Sequence, residues 1–283
     1  MNTRILIALI CAALLLSPAA LAETTGGVAG ASDMTDVIDI VPEGVEPVTA
    51  ERLNDGVYSV DVDVSSSMFK ATGCDLTVEN GRMTALLYMK SEAYSHMYPG
   101  SAEDAARAEA ADLIPLRETE DGRFAFTLPL DALDAGYECA AFSARKQLWY
   151  PRTLLFRADS LPLEAWKSEY LVTAETLGLA DGAYTCDVAL EGEGRATLAS
   201  PAALTVKDGA CTAEIVFSTK KIDYVIVGGE RYEPVSADDG AAFVVPVAAF
   251  GLKLSIVADS TAIKPAVEVS YTMTFDGSTI APN

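Results

Sequence analysis

The chain has 283 residues, with 41 acidic against 20 basic side chains and a formal net charge of -21. A surface of that sign repels phosphate backbones and anionic lipid headgroups, which argues against nucleic acid and direct membrane partners. The length accommodates two domains of ordinary size.

At the N-terminus Arg4 is followed by an unbroken apolar run over 5–16, then Ser17-Pro18 and the small residues of 19–22. This is the pattern of a secretory signal peptide, with cleavage expected after Ala22. The apolar run is too short for a transmembrane helix, which needs about 20 residues. Cys11 follows the bulky Ile10, which argues against lipidation. No later segment is long and apolar enough to span a bilayer, so the mature chain is expected to be exported, either secreted or associated with the cell envelope. Residues 23–50, rich in Gly, Ala, Thr and acidic side chains without periodicity, are expected to form a flexible stalk.

Alternation then begins. Tyr58, Val60, Val62 and Val64 fall on one side of an extended chain and Ser59, Asp61, Asp63 and Ser65 on the other, the period of a half-buried strand. Further strands are predicted over 76–78, 84–89, 124–128, 137–142 and 153–156. Asn80-Gly81 and Asp121-Gly122 supply the positive-φ dipeptides that close hairpins. One segment breaks the series: residues 101–111 (SAEDAARAEAA) are alanine-rich and open with Ser101 as a helix cap and Asp104 three residues on, so a short helix is expected there. Residues 162–180 read as a linker. Strands resume over 183–190, 203–206, 211–218, 224–227, 242–247, 252–258 and 267–275.

The second series repeats the first. Asp55-Gly56-Val57-Tyr58-Ser59 returns as Asp181-Gly182-Ala183-Tyr184-Thr185, and Leu76-Thr77-Val78-Glu79-Asn80-Gly81 as Leu204-Thr205-Val206-Lys207-Asp208-Gly209. Phe124 and its successors are echoed from Phe243, and Phe156 to Leu161 from Phe275 to Ile280. An offset that is nearly constant and shrinks once indicates two copies of one unit, 51–161 and 181–283, the first carrying the helical insertion. Short antiparallel strands at this spacing predict an all-β fold of two tandem sandwiches sharing one topology.

Removal of the leader leaves Cys74, Cys139, Cys186 and Cys211. Four cysteines allow three pairings; pairing within each repeat fits an exporting compartment, and Cys186 and Cys211 would be neighbours if their strands pair. Four buried free thiols is the other reading.

His96 is the sole histidine. Nothing around it resembles a nucleophile elbow, phosphate-cradling glycine loops are absent, and no carboxylate pair stands in a recognisable catalytic setting. A non-enzymatic binding protein is therefore expected. Tyr94-Ser95-His96-Met97-Tyr98 would place Tyr94, His96 and Tyr98 on one face of a strand, and His96 is a competent iron ligand, though such a strand is also ordinary core material.

The order of a DGxY strand, a Ser-Met segment, a Leu-Thr-Val-x-Asn/Asp-Gly hairpin, a strand ending in Gly-Glu-Arg-Tyr and a last strand closing on Phe resembles the near-iron transporter (NEAT) domain family. Those are immunoglobulin-like sandwiches of Gram-positive cell envelopes, many of which bind haem and serve iron transport. The resemblance implies a haem or related tetrapyrrole ligand. It implies a lip at Ser66, Ser67, Met68 and Phe69, whose serines would hold a propionate and whose Met68 and Phe69 would pack on the ring. In the family a Tyr-x-x-x-Tyr on a late strand supplies the iron ligand and its hydrogen-bonding partner. Here Tyr150 stands at the second tyrosine's place with Lys146 four residues earlier, and Trp149 beside it is a candidate stacking wall. A pKa lowered by Arg152 or Lys146 would help Tyr150 ligate. The second repeat has Val269 at that place, so it is expected to be a structural or partner-binding copy. The alternative is a pair of adhesive modules contacting another envelope or host protein.

Overall fold

The computed structural model describes residues 26–34, 38–41, 43–192, 194–236, 240–262 and 264–283; the leader expected at 1–22 lies outside them. Strand dominates. In chain order the first half contains β1 (Gly27–Val28), β2 (Gly56–Ser59), β3 (Asp61–Val64), β4 (Ala71–Glu79), β5 (Arg82–Met89), β6 (Tyr94–Pro99), α1 (Ala102–Ala105), β7 (Ile114–Pro115), β8 (Arg117–Glu118), β9 (Phe124–Leu130), β10 (Gly136–Ser143) and β11 (Leu148–Arg157). The second half contains β12 (Gly182–Cys186), β13 (Val188–Gly192), β14 (Ala202–Lys207), β15 (Ala210–Val216), β16 (Ile222–Val227), β17 (Glu230–Tyr232), β18 (Ala242–Pro246), β19 (Leu254–Ser260), β20 (Val267–Phe275) and β21 (Ala281–Pro282).

These strands make two pairs of sheets with one strand order. In the first half β2-β4-β5-β9-β8 form one sheet, and β7-β6-β10-β11 the other, with β3 and β1 sharing the free edge of β11. The second half repeats this order over β12-β14-β15-β18 and β17-β16-β19-β20-β13, with β21 added beside β12 and no named strand in the place of β8. Period-two apolar residues fill the space between the sheets: Leu76, Leu87, Phe126 and Leu128 from one, Met97, Ala141, Leu154 and Phe156 from the other, all in one buried cluster. The alternating run from Tyr58 to Val64, which reads as one strand, is two. The chain crosses from the β4 sheet to the β11 sheet at Val60, and again at Asp187 in the second half.

The repeated motif has a shared hydrogen-bonding role. The Asp55 carboxylate accepts from the Asn80 N–H at 3.2 Å, and Asp181 from the Asp208 N–H at 2.9 Å. Each clamps a hairpin turn whose first residue has φ of 52°, a conformation that Asn, Asp and Gly tolerate. The tyrosine of each DGxY donates back to the carbonyl four residues upstream, Tyr58 to Asn54 and Tyr184 to Ala180. At Gly56 a Cβ would lie 2.5 Å from the Tyr58 hydroxyl, so a larger residue would push that ring off its hydrogen bond.

Strand register revises the alignment of the later strands. Leu87 faces Phe126, and its counterpart Ile215 faces Phe243. Phe126, two residues past Phe124, is therefore the partner of Phe243, and Pro129 matches Pro246, opposite Thr84 and Thr212.

The expected helix is shorter than 101–111. It has Ser101 as its cap, accepting from the Asp104 N–H at 3.1 Å, and a 3₁₀ turn follows at Ala110–Asp112. Ala102 and Ala105 are buried with Ala140, Phe142 and Trp149 on the outer face of the β10–β11 pair. The second half closes the same connection with the Gly228-Gly229 turn between β16 and β17.

The segment expected to be a free stalk is docked on the first sandwich. β1 pairs with β11, the Ile38 N–H donates to the Ser65 carbonyl, and Val48 bridges Leu133. The linker is equally ordered: Trp166 bridges Leu53, Ala165 and Ala174 are buried, and the Asn54 side-chain amide donates to the Glu164 and Trp166 carbonyls. Lys253 joins the halves, its ammonium 3.0 Å from Asp61 and its N–H donating to the Asp159 carbonyl. All four cysteines are buried free thiols, and the strands carrying Cys186 and Cys211 are not neighbours, since β14 lies between β12 and β15. No helix among the described residues is long and apolar enough to cross a membrane.

Candidate functional site

A pocket of about 510 Å³ opens at one end of the first sandwich, bounded by the turn after β3, the residues before β6, the β10–β11 hairpin turn and Asp33. Its volume falls in the range of small-molecule sites.

The floor is aromatic and cationic. Tyr150, Arg152, Leu154 and Phe156 alternate onto the inner face of β11, and the last two fill the core while the first two reach its open end. Tyr94 joins them because of a bulge. On β10, Phe142 faces His96 but Ser143 faces Tyr94, so one residue of β6 is skipped, and Tyr94 turns inward like Met97. The Tyr94 and Tyr150 rings meet edge to face, 6.5 Å apart at 82°, and Phe69 backs Tyr94 from 5.2 Å. The Arg152 guanidinium donates to the Tyr94 hydroxyl at 3.2 Å and lies 5.1 Å from the centre of the Tyr150 ring.

Of the residues that the sequence singled out, Met68, Tyr94, Lys146, Tyr150 and Arg152 line this pocket. Met68 stands on the rim, 56% exposed, on a turn closed by the Phe69 N–H donating to the Ser66 carbonyl. Ser66 is buried, its hydroxyl accepting from the Met68 N–H at 3.4 Å, and Ser67 is exposed; neither lines the pocket, so the serine clamp expected there is not formed. Phe69 is buried behind Tyr94 and would not touch a ligand directly. Trp149 cannot be a wall beside Tyr150: neighbours on a strand face opposite ways, and it is fully buried on the outer face beneath α1, its ring 5.0 Å from that of Phe142 and tilted 54° to it. His96 is displaced by the same bulge, away from Tyr94. It pairs with Pro115, sits 3.1 Å from the Ser95 hydroxyl, and burial pushes its pKa down.

Tyr150 is 7% exposed. Burial pushes its pKa up, Asp33 and Tyr94 act in the same direction, and Arg152 lowers it without reversing the shift. The lowered pKa expected from neighbouring cations is thus not realised, and the phenol is neutral near pH 7. Sequence reasoning did not reach Asp33, because 26–34 carries no periodic signal and its placement follows from β1 adding to β11. Arg145 and Lys146 stand on the hairpin turn at the rim.

The second sandwich is built differently at the same place. Register equates Tyr94 with Ile222, Tyr150 with Val269 and Arg152 with Tyr271, and the bulge recurs beside Ile222. Gly192 and Gly194 each lie against the Tyr271 ring, so close that a Cβ on Gly192 would come within 2.8 Å of it. A tyrosine side chain therefore occupies the slot that stands open in the first sandwich.

Among the described residues no group of three or more His, Cys, Asp or Glu side chains is placed to hold a metal ion. Set against known families and curated proteins, the sequence matches no family model and no curated protein.

Proposed function

We propose that the chain is an exported, non-enzymatic binding protein of two NEAT-like, immunoglobulin-like sandwiches, the first of which takes haem or a related tetrapyrrole. The observation that carries this reading is the Tyr94, Tyr150 and Arg152 floor beneath Met68, present in the first sandwich and replaced by Ile222, Val269 and Tyr271 in the second. The pocket fits the group on three counts. Met68, Ala93, Tyr94, Ala144 and Tyr150 give it apolar and aromatic wall where a macrocycle would lie, beside polar lining that includes Asp33, Ser91 and Glu92. The Tyr150 hydroxyl, which makes no hydrogen bond to another described residue, offers a single oxygen donor in place of a metal cage. Arg145, Lys146 and Arg152 supply positive charge for acidic substituents.

Haem when bound would bring ferric iron, for which tyrosinate is a hard anionic ligand. The chain's own residues do the rest. Tyr150 is oriented edge-on by Tyr94, Phe69 holds Tyr94 in place, and Met68 covers the opening. The second sandwich, with its slot filled, is left a structural role or a contact with another envelope or host protein.

Titration with hemin tests this. The intact protein should develop a saturable Soret band, and Tyr150→Phe should weaken binding by about tenfold or more, the value of one lost charged contact. Equal affinity in the two proteins would remove Tyr150 as the ligand.

A further inference from the structure

Among the described residues, Arg152 is a buried cation without an acidic partner. It is 5% exposed and lines the pocket. One terminal nitrogen donates to the Pro151 carbonyl at 2.7 Å and the other to the Tyr94 hydroxyl at 3.2 Å, while the Nε–H is buried with no partner. Both acceptors are neutral, and no carboxylate lies within ion-pair reach among the described residues. Five other arginines are ion-paired, Arg52 with Glu46, Arg107 with Asp104, Arg123 with Asp121, Arg157 with Asp63 and Asp159, Arg231 with Glu233, while Arg82, Arg117, Arg145 and Arg195 are exposed to water. In a protein with twice as many acids as bases, a lone buried guanidinium runs against the composition. It also runs against energetics, since a buried charge is costly unless an opposite charge compensates it. The fold does not need it, because the second sandwich carries Tyr271 at the same place.

We propose that Arg152 selects the ligand. The pocket takes an apolar molecule bearing a free carboxylate, which enters as the missing counter-ion of this guanidinium; the planar fork of arginine matches a carboxylate's two oxygens. This rests on the reading of the pocket as a ligand site and specifies its ligand class. It also assigns the acidic group a place at the floor, where Ser66 and Ser67 of the rim turn do not reach the pocket.

The test uses the full chain and two acid and ester pairs: hemin with hemin dimethyl ester, and the fluorescent cis-parinaric acid with its methyl ester. The free acid of at least one pair should bind the unsubstituted protein about tenfold or more tighter than its ester. Arg152→Met should abolish that preference, and Arg152→Lys should retain part of it, with thermal melts confirming that each variant is folded. The acid and ester comparison in the unsubstituted protein stands even if a variant fails to fold. Preference for parinaric acid without hemin binding upholds carboxylate selection and removes the haem reading. Hemin binding that is weakened by Tyr150→Phe but indifferent to esterification, with no acid preference in the parinaric pair either, keeps the haem reading and overturns this proposal. Absence of saturable binding by either acid overturns it as well.

Discussion

At the scale of single residues, the protonation state of Tyr150 has a direct consequence. Burial holds its pKa above the ordinary phenol value, so a tyrosinate ligand forms only by releasing a proton. Binding that releases a proton strengthens as pH rises for as long as pH lies below that pKa. Hemin affinity should therefore climb between about pH 6 and pH 8, by up to tenfold per unit, and titrations across that range measure it. A flat profile would mean that the tyrosine oxygen is not the ligand. Tyr150, Met68 and Arg152 were each legible in the sequence, but their grouping was not. Trp149 and His96 looked equally eligible, and only the facing of β11 and the bulge in β6 separate them from the pocket. A bulge inverts every side chain beyond it, and no residue type in Tyr94-Ser95-His96 announces one.

At the scale of elements, α1 shows how an insertion is paid for by burial. Its few residues make too short a helix to persist alone; Ala102 and Ala105 hold it against Trp149, which is fully buried on the far side of the sheet from the pocket. Trp149→Ala should cost about 3–5 kcal/mol of stability, as large aromatic truncations in cores do. Because the ring faces away from Tyr150, hemin affinity in the protein that remains folded should change little. A denaturant titration alongside a hemin titration separates the two effects; a variant of unaltered stability with weakened binding would place the indole in the wrong layer. The strands themselves were largely legible from alternation and from the DGxY and Asn/Asp-Gly signals, which mark the hairpin that Asp55 and Asp181 clamp. Sheet switching at Val60 was not, since the alternating period is the same on either sheet. Nor was the docking of 26–34, which depends on the exposed edge of β11, or of 38–41 and 43–50, which bond to Ser65 and Leu133, since neither follows from a local pattern.

At the scale of the whole molecule, the two halves share one arrangement of their common strands and differ in the inserted α1, the docked β1, the edge strands β8 and β21 and the floor of one slot. Strand order, hairpin clamp and bulge are common to both. The floor of the slot differs: three side chains that line an open pocket in one half are Ile222, Val269 and Tyr271 in the other, with Gly192 and Gly194 lying against the last. The repeat was visible in the sequence, although the later strands align only once register is known, because Phe124 and Phe126 both offer a phenylalanine to match Phe243. The central claim is that a single ligand site survives, in the first sandwich. Counting bound hemin per chain by spectroscopic titration tests it most directly: one equivalent, weakened by Tyr150→Phe and unaffected by Tyr271→Phe, is the result expected. Two equivalents, none, or a single one that responds to Tyr271 and not to Tyr150 would contradict it.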